Sequence, residues 1–382
     1  MNEVQKNSEV SGSPFRGRRG IIIAGGGTGG HIFPAIAIAN ALKKINPKTE
    51  ILFVGANGRM EMEKVPAAGY TIVGLDISGI QRKLSLQNLL LPVKIIKSVM
   101  RARMIVKEFK PDVAIGVGGY ASGPLLYAAT GMKIPSLIQE QNSFAGITNK
   151  LLAKRVQRIC VAYDGMEKYF PKEKIVKTGN PVRENMVDIK GKRAEAISFF
   201  KLDENKKTVL VIGGSLGART INRSIEAGLI ELAEKNIQVI WQTGKLFYPV
   251  AKEKTMPYLK QGIACYEFIQ RMDLAYAVAD VVVSRAGASS VSELALVAKP
   301  SILVPSPNVA EDHQTKNAMS LVNNDAAILV TDSEASQKLI QKCIDLLADA
   351  SAREKLITNI SKLALANSAE LIVEEVYALV KK

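Results

Sequence analysis

The stretch Ile21-Ile22-Ile23-Ala24-Gly25-Gly26-Gly27-Thr28-Gly29-Gly30-His31 joins a short apolar run to five glycines and ends at one of only two histidines in the chain. The continuous β-branched run is typical of a strand buried on both faces of a parallel sheet. Pro34 and the alanine-rich segment up to Leu42 predict a helix that opens directly after the loop. Glycines bring backbone N–H groups close to an anion, which the start of the following helix also attracts. The sequence therefore predicts a strand, an anion-binding loop and a helix.

The glycine spacing Gly25-x-Gly27-x-x-Gly30 also satisfies the dinucleotide-binding fingerprint, which is weak evidence when it stands alone. A phosphate-binding P-loop would need lysine at the position of His31. An NAD-binding unit would have an acidic residue at the end of its second strand, but residues 51–54 continue into Gly55-Ala56-Asn57. A nicotinamide dehydrogenase is therefore disfavoured.

The alternation of strands and helices occurs twice along the chain. The second series begins at Val209-Leu210-Val211-Ile212, which continues into the glycine loop Gly213-Gly214-Ser215-Leu216-Gly217. Strands are predicted near residues 51–54, 71–74, 112–117, 134–138, 157–162 and 174–177, and then near 208–212, 237–242, 262–266, 280–284, 301–304 and 327–330. This pattern predicts two doubly wound α/β domains, with a boundary in the charged stretch after Asn180-Pro181-Val182-Arg183. Because ligands bind beyond the carboxyl ends of parallel strands, we expect both glycine loops to face one cleft.

Composition narrows the possible partners. The 382 residues favour two domains, and the formal net charge of +15 indicates an anionic partner. No zinc-finger, RRM or homeodomain pattern occurs, so nucleic acid is the least supported partner. No apolar run approaches the roughly 18 residues of a transmembrane helix. Residues 1–18 are polar and are predicted to form a disordered tail.

A basic amphipathic segment lies between Ile80 and Lys110, where leucine, valine and isoleucine alternate with lysine and arginine. Such a segment can lie on an anionic bilayer. A crossover helix that packs its leucines on the sheet is an equally open interpretation. The cluster from Leu84 to Leu91 is more apolar than a surface loop requires, so we predict membrane contact through Leu84 to Lys107.

Two further motifs follow predicted strands of the first half. Gly116-Val117-Gly118-Gly119-Tyr120-Ala121-Ser122-Gly123-Pro124 is a third glycine loop, and two neighbouring glycine loops suit a diphosphate. A tight turn without a ligand is the simpler interpretation of that loop alone. Gln139-Glu140-Gln141-Asn142 follows the strand predicted at 134–138, and its amides suit a hydroxyl-rich ligand. Asn142 could instead cap the helix that leads to Leu152.

The second half contains a buried strand, a small-residue turn and a helix start between Val281 and Glu293. The N–H groups of residues 288–290 are suited to a diphosphate, and Glu293 can accept both hydroxyls of a ribose. A capping box formed by Ser290 and Glu293 is the structural alternative. Further on, His313 is predicted in a loop on the same side of the sheet. No D-x-D and no cluster with metal-ligand spacing occurs, so no catalytic metal is indicated.

Seven motifs, taken in order, resemble the bacterial peptidoglycan N-acetylglucosaminyltransferases of glycosyltransferase family 28. They are residues 25–35, 118–124, 140–142, 179–183, 213–219, 284–288 and 312–314, and the match runs from about residue 20 to the C-terminus. The resemblance implies a GT-B fold, in which two Rossmann-like doubly wound parallel-sheet domains face a cleft. It implies an acceptor- and membrane-binding domain at 19–185, joined by a C-terminal helix at about 367–382. The UDP-GlcNAc-binding domain would then be 186–366.

The activity implied by the resemblance is transfer of N-acetylglucosamine (GlcNAc) from UDP-GlcNAc to the C4 hydroxyl of the muramyl sugar of lipid I. The transfer inverts the anomeric centre, gives lipid II and UDP for cell-wall synthesis, and uses no metal or other cofactor. It takes place at the cytoplasmic face of the plasma (inner) membrane on a peripheral protein, with other cell-wall enzymes as possible partners. Alternatives are another UDP-sugar GT-B enzyme, such as a UDP-GlcNAc 2-epimerase, and a non-catalytic membrane adaptor.

The resemblance also implies the site residues. Donor contacts would fall at Thr28, Gly29, Gly30, Asn142, Arg183, Ser215, Ile269, Ala288, Ser289, Ser290, Val291, Ser292, Glu293 and Gln314. Uracil would contact the backbone of Ile269, and the ribose would contact Glu293. The sugar hydroxyls would contact Gln314 and Asn142. The acceptor diphosphate would meet Gly26, Gly27, His31, Gly118, Gly119 and Tyr120. His313 and Ser289-Ser290 depart from residues that are common in the family.

Inverting transfer requires a base for the acceptor proton and positive character for the departing UDP. Our hypothesis is that His31 is this base or instead binds the acceptor diphosphate, because histidine titrates near neutrality. Glu140 is the second candidate for the base.

Overall fold

The structure is a computed structural model, in which residues 20–77 and 91–380 are described, without the side chains of Leu91 and Ala310. The predicted tail at 1–18 and the part of the predicted membrane segment at 84–90 lie outside these residues. The chain forms two compact units. Unit 1 contains the described residues of Met1–Gln139, Ile147–Cys160 and Glu370–Lys382, and unit 2 contains Glu140–Gly146 and Val161–Ala369.

The first sheet has seven strands in the order β3-β2-β1-β4-β5-β6-β7. The strands are β1 (Gly20–Ala24), β2 (Glu50–Ala56), β3 (Thr71–Leu75), β4 (Val113–Gly116), β5 (Ser136–Glu140), β6 (Arg158–Val161) and β7 (Ile175–Lys177). β1 pairs in parallel with β2 on one side and with β4 on the other. Every residue of β1 is buried, as its β-branched sequence predicts for a central strand.

Helices connect these strands and cover the sheet. They are α1 (Gly29–Ile45), α2 (Glu61–Ala67), α3 (Leu91–Phe109), α4 (Ser122–Gly131) and α5 (Ile147–Leu152). The C-terminal part of the last helix, Ser368–Val380, also belongs to unit 1. There Glu375 lies 2.9 Å from Arg158 of β6, and Ile372, Val373 and Val376 are fully buried.

The second sheet has six strands in the order β10-β9-β8-β11-β12-β13. The strands are β8 (Thr208–Ile212), β9 (Gln238–Gln242), β10 (Ile263–Tyr266), β11 (Val281–Ser284), β12 (Ser301–Leu303) and β13 (Ile328–Leu329). The helices from residue 184 onward are α6 (Glu184–Val187), α7 (Arg193–Phe200), α8 (Arg219–Ala227), α9 (Leu229–Glu234), α10 (Tyr248–Thr255), α11 (Met272–Val278), α12 (Ala288–Leu296), α13 (His313–Val322), α14 (Ala335–Ala348), α15 (Ala350–Ser361) and α16 (Ser368–Val380).

The two faces of the second sheet support separate hydrophobic cores. Val209 and Val211 of β8 pack with Trp241 on one face, and Leu210 of the same strand packs with Tyr276 on the other. This is the two-residue alternation expected for a strand that is covered on both sides. The two parallel sheets confirm the predicted α/β class with two doubly wound domains.

In each sheet, the chain leaves two neighbouring central strands toward opposite edges of the sheet. β1 and β4 form this pair in the first sheet, and β8 and β11 form it in the second. The strand order changes direction at these points, which is where open α/β sheets bind their ligands. The topology therefore places the loop after β1 beside the loop after β4, although about ninety residues separate them.

Two predicted boundaries beside prolines were wrong. α1 begins at Gly29 rather than at Pro34, so Pro34 lies inside the helix and cannot donate a hydrogen bond to the carbonyl of Gly30. β5 covers Ser136–Glu140 rather than 134–138, because Pro135 has no N–H for the ladder. Gln139 and Glu140 are therefore buried strand residues and do not follow the strand.

Candidate functional site

The loops after β1 and β4 are in direct contact within unit 1. The Gly26 N–H lies 3.3 Å from the Gly118 carbonyl oxygen, and the Val117 N–H donates to Ala24 at 2.7 Å. The buried hydroxyl of Ser122 lies 2.9 Å from the Ala24 oxygen and 2.8 Å from the Gly118 oxygen. The two glycine loops that the sequence places far apart thus form one structure, as the strand order requires.

His31 lies in the first turn of α1 and closes back onto the loop that precedes it. Its Nδ1 is 3.0 Å from the Gly26 carbonyl oxygen and 3.4 Å from the Thr28 hydroxyl. Because a carbonyl oxygen can only accept a hydrogen bond, Nδ1 carries the hydrogen. In the neutral imidazole Nε2 then holds the lone pair, which is the state required of a general base.

Gly118 provides the space into which the His31 ring fits. A Cβ atom on Gly118 would lie 2.6 Å from Cδ2 and 2.8 Å from Nε2 of His31, closer than real Cβ atoms approach. The φ angle of Gly118 is +101°, a conformation that other residues rarely adopt. Glycine is therefore required at this position both for backbone conformation and for contact with the imidazole.

Glu61, the first residue of α2, hydrogen-bonds the same loop. It was not identified from the sequence. Its carboxylate is 1% exposed and accepts the N–H of Gly27 at 2.8 Å and the N–H of Ala56 at 3.0 Å. A Cβ atom on Gly26 would lie 2.2 Å from Glu61 Oε1. The first glycine loop thus packs against a buried carboxylate.

These contacts change which amides of the loop can bind an anion. The N–H groups of Gly26 and Gly27, predicted to meet the acceptor diphosphate, donate to Gly118 and Glu61 in this structure. Gly29 and Gly30 are the first two residues of α1, where N–H groups have no acceptor within the helix. The N–H groups of Gly29 and Gly30 are therefore better placed to bind an anion than those of Gly26 and Gly27.

Of the two other predicted acceptor residues, Gly119 packs against the Gly26 carbonyl and Tyr120 lies at the surface of unit 1. Its side chain is 44% exposed, and the Arg59 guanidinium lies 5.9 Å from the centre of its ring. An exposed ring with a nearby cation can contact a sugar face or a phosphate group.

In unit 2, Glu140 and Asn142 belong to one tight turn. Glu140 Oε1 accepts the backbone N–H of Asn142 at 3.1 Å and its side-chain amide at 3.3 Å, and Oε2 accepts the Gly146 N–H at 3.0 Å. α5 begins only at Ile147, so the interpretation of Asn142 as its N-cap was wrong. Glu140 is 2% exposed and stabilises the turn that presents Asn142.

Asn317, on α13, hydrogen-bonds the side chain of Asn142. It was also not identified from the sequence. Its side-chain amide donates to the Asn142 oxygen at 3.1 Å, and its own oxygen accepts the Ser143 N–H at 3.1 Å. Asn317 is fully buried and lies three residues after Gln314, on the same helix face. That helical spacing is the signal that could have identified it.

Ser215 lies in the loop after β8 and is exposed. The side chain of Gln242 connects this loop to Ile269. Gln242 donates to the Gly214 carbonyl at 3.1 Å, and its side-chain oxygen accepts the Ile269 N–H at 2.9 Å. A uracil that binds the backbone of Ile269 would therefore compete with Gln242 for this N–H.

α12 begins at Ala288, with Gly287 as its N-cap. Ser290 is therefore the third helical residue, and the capping-box interpretation of Ser290 and Glu293 was wrong. The N–H groups of Ala288, Ser289 and Ser290 form the first turn, which leaves them without helical acceptors. The Ser289 hydroxyl is buried and has no hydrogen-bond partner among the described residues. This helix start is thus equipped to bind an anion.

Glu293 lies one turn further along α12 and is held by Tyr276. The Tyr276 hydroxyl donates to its carboxylate at 3.0 Å. Burial raises the pKa of the Glu293 carboxyl above its ordinary value, while the Tyr276 hydrogen bond and the Arg183 charge act in the opposite direction. The carboxylate is thus fixed in place as a hydrogen-bond acceptor.

Gln314, Ser292 and Val291 were also predicted to contact the donor, and they lie in unit 2, whereas Thr28, Gly29 and Gly30 lie in unit 1. Gln314 is in the first turn of α13, where it accepts the Ser306 N–H at 2.9 Å. His313 is the first residue of that helix and not a loop residue as predicted. Ser292 accepts a hydrogen bond from Asn180 at 3.0 Å, and Val291 is buried. Among residues 20–77 and 91–380, no group of three or more histidine, cysteine or carboxylate side chains could hold a metal ion.

The contact between Gly118 and His31 gives a testable prediction. We expect Gly118→Ala to displace the imidazole, so that the NMR signals of the His31 ring shift. Gly69→Ala is the matched control, because Gly69 also has a positive φ of +86° but has nothing within 4 Å of its Cβ position. Both variants should lose about 1–3 kcal/mol of unfolding free energy from backbone strain. Unchanged His31 signals in folded Gly118→Ala would contradict this packing.

Comparison with known proteins gives a consistent result for both halves of the chain. Residues 21–161 match the glycosyltransferase family 28 N-terminal domain, and residues 208–375 match the family 28 C-terminal domain. A relative from Parabacteroides distasonis is 56% identical over 362 residues, which are 95% of this chain and 98% of the relative. It is named UDP-N-acetylglucosamine–N-acetylmuramyl-(pentapeptide) pyrophosphoryl-undecaprenol N-acetylglucosamine transferase.

Solved structures agree with the fold. The crystal structure of Acinetobacter baumannii MurG is 27% identical, with a TM-score of 0.76 over 94% of this chain and 99% of that one. UDP-GlcNAc 2-epimerase from Neisseria meningitidis, solved with UDP-GlcNAc, has a TM-score of 0.64 at 16% identity, over 94% of this chain and all of that one, which shows a shared fold alone. With both domain matches and a near full-length relative, the chain belongs to glycosyltransferase family 28.

Proposed function

We propose that the protein transfers GlcNAc from UDP-GlcNAc to the C4 hydroxyl of the muramyl sugar of lipid I, giving lipid II and UDP. The name of the relative that is 56% identical over almost the whole chain supports these substrates. The observation that carries the chemistry is the hydrogen bond from His31 Nδ1 to Gly26, which leaves Nε2 as the basic nitrogen.

On the donor side, the proposal assigns the diphosphate of UDP-GlcNAc to the start of α12. Three N–H groups and the buried Ser289 hydroxyl lie there, and the helix start carries partial positive charge. Glu293, held by Tyr276, would accept the ribose hydroxyls. The same amides stabilise the negative charge that builds up on UDP as it departs.

For the sugar, the proposal uses the pair of amides on Asn142 and Gln314. Asn142 is fixed from two sides by Glu140 and Asn317, and Gln314 is fixed by the Ser306 N–H. Rigid amides of this kind discriminate between sugars, because a missing hydroxyl would leave a polar group without its partner.

In the transfer step, the acceptor C4 oxygen attacks the anomeric carbon of GlcNAc. The bond from that carbon to the diphosphate oxygen breaks, its electron pair leaves with UDP, and the acceptor proton moves to His31 Nε2. Attack on the side opposite the leaving group inverts the anomeric centre. His31 is favoured over Glu140 for this role, since both Glu140 oxygens already accept hydrogen bonds from the turn that holds Asn142.

The membrane surface is the second part of the proposal. α3 exposes Ile96 at 60%, Met100 at 62% and Met104 at 54%, and it carries the exposed cations Lys97 and Arg101. Apolar side chains flanked by cations on one helix are suited to an anionic bilayer. No helix within residues 20–77 and 91–380 is both long and apolar enough to cross a membrane. We therefore propose peripheral attachment at the cytoplasmic face, where the nucleotide sugar is available.

The exposed apolar surface of unit 1 extends beyond α3. α4 packs against α3 and exposes Tyr127 at 49%, and α5 packs against α4 and exposes Ile147 at 63% and Leu151 at 75%. Large apolar patches on a protein surface mark interaction sites. These neighbouring helices therefore support contact over a broader area than the predicted segment alone.

The activity is tested by incubating the protein with labelled UDP-GlcNAc and a soluble lipid I analogue. We expect label in the extracted lipid product and one UDP released per sugar transferred. Glu293→Gln should raise the KM for UDP-GlcNAc, while Glu253→Gln, an exposed carboxylate on α10, should not. Formation of an epimerised nucleotide sugar without transfer would contradict the proposal and favour the epimerase alternative.

Membrane attachment is tested by flotation with phosphatidylglycerol vesicles. We expect the wild-type protein to float, and a variant with Lys94, Lys97 and Arg101 changed to glutamate to float less, because each cation contributes about 1 kcal/mol near an anionic surface. A variant with Lys252, Lys254 and Lys260 changed to glutamate carries the same total charge and should float like wild type. Equal flotation of all three proteins would contradict attachment through α3.

A further inference from the structure

We propose that Glu61 is a positioning residue for His31 and acts through the peptide group between Gly26 and Gly27. The proposal rests on the proposed role of His31 as the base. Glu61 lies at the start of α2, 30 residues from His31 in the sequence, and its carboxylate makes its hydrogen bonds to backbone N–H groups.

Glu61 and His31 bind opposite ends of one peptide group. The N–H of that group belongs to Gly27 and donates to Glu61 Oε2 at 2.8 Å. The C=O of the same group belongs to Gly26 and accepts from His31 Nδ1 at 3.0 Å. The hydrogen-bonded chain therefore runs from the Glu61 carboxylate to the Gly27 N–H, through the peptide group to the Gly26 C=O, and on to the His31 Nδ1–H.

A peptide group between these partners transmits polarisation. A carboxylate at its N–H end draws positive charge toward that hydrogen and increases the negative charge on the carbonyl oxygen, since hydrogen bonds in series strengthen one another. A more negative oxygen holds the Nδ1 hydrogen more firmly. It also stabilises the imidazolium that forms when Nε2 takes the acceptor proton, as a carboxylate in direct contact with histidine does in other enzymes.

Neighbouring residues pack closely against this peptide group. A Cβ atom on Gly26 would lie 2.2 Å from Glu61 Oε1, and one on Gly119 would lie 2.2 Å from the Gly26 oxygen. Glu61 is itself held by the Ala56 N–H at 3.0 Å, at the end of β2. The position of the imidazole is thus determined by a chain of contacts from β2 through Glu61 and the glycine loop.

The chemistry of the site explains why a carboxylate is needed there. Both partners of Glu61 are N–H donors, so the side chain must offer two acceptors. Glutamine has the same shape but would direct its NH₂ group at one of the two donors. Glu61→Gln therefore removes the charge and one acceptor while it retains the volume of the side chain.

The test compares wild type, Glu61→Gln and Glu61→Asp by ¹⁵N NMR of the histidine rings without substrate. We expect His31 to be protonated at Nδ1 in wild type, and the Nε2-protonated form to increase in Glu61→Gln. The signals of His313, the only other histidine, should not change. Glu61→Asp keeps the charge and should restore part of the wild-type tautomer.

Kinetics provide the second measurement. Glu61→Gln should lower kcat for transfer about 10- to 100-fold, the loss seen when the hydrogen-bond partner that orients a metal-bound histidine is removed, with little change in the KM for UDP-GlcNAc. Glu63→Gln is the matched control, because Glu63 lies on the same helix with its side chain 77% exposed, and this variant should match wild type.

An unchanged His31 tautomer and kcat in a folded Glu61→Gln protein would overturn the proposal. If Glu61→Gln does not fold, Glu61→Asp decides. We expect partial loss of the wild-type tautomer and a lower kcat with the shorter side chain, and a fully wild-type tautomer and kcat would overturn the proposal. The NMR result does not depend on the transfer reaction. A wild-type protein that shows the predicted tautomer but transfers no sugar would refute the proposed function and leave the positioning role intact.

Discussion

The hydrogen bond from His31 Nδ1 to the Gly26 carbonyl is the interaction on which the candidate acceptor site depends. It requires the loop after β1 to turn back on the first turn of α1, and it requires the loop after β4 to leave space for the ring. Gly118 provides that space, since any side chain there would overlap the imidazole. The adjacency of β1 and β4 brings the two loops together, so the chemistry of His31 follows from the strand order of the sheet.

Unit 2 has the same arrangement of central strands but uses it differently. The loop after β11 leads into α12, whose start offers N–H groups and a buried hydroxyl, and residues 285–290 include no histidine. Glu293 supplies a carboxylate instead, and Tyr276 fixes its position. The two units therefore share a fold and differ in the side chains at the switch point, and our proposal places the base in one unit and the nucleotide in the other.

Local patterns in the sequence were sufficient to predict the sheets and the glycine loops. A β-branched run such as Ile21–Ile23 is typical of a buried strand, and glycines such as Gly118 stand where the backbone needs positive φ. Helix starts were less predictable. Pro34 is normally a sign of a first turn, but here the glycine-rich segment before it is already helical, so the proline stands in the second turn of α1.

The partners of the residues that support the site could not be predicted in the same way, although the helical spacing from Gln314 points to Asn317 itself. Glu61 meets Gly27 across 34 positions, and Asn317 meets Asn142 across 175, so no local spacing connects either pair. Their side chains are ordinary for a helix start and a helix face, and only the fold gives them a role. The capping-box interpretation of Ser290 was wrong because the N-cap is Gly287, three residues earlier, and the helix begins at Ala288.

Single-turnover transfer by His31→Gln tests the central claim most directly. Glutamine keeps a hydrogen-bond donor near the Gly26 carbonyl but cannot take a proton at neutral pH. With donor and lipid I analogue both saturating, the account predicts a rate of transfer about 10²- to 10⁴-fold below wild type, and an unchanged affinity for UDP. A His31→Gln protein that transfers GlcNAc near the wild-type rate would contradict the assignment of His31 as the base.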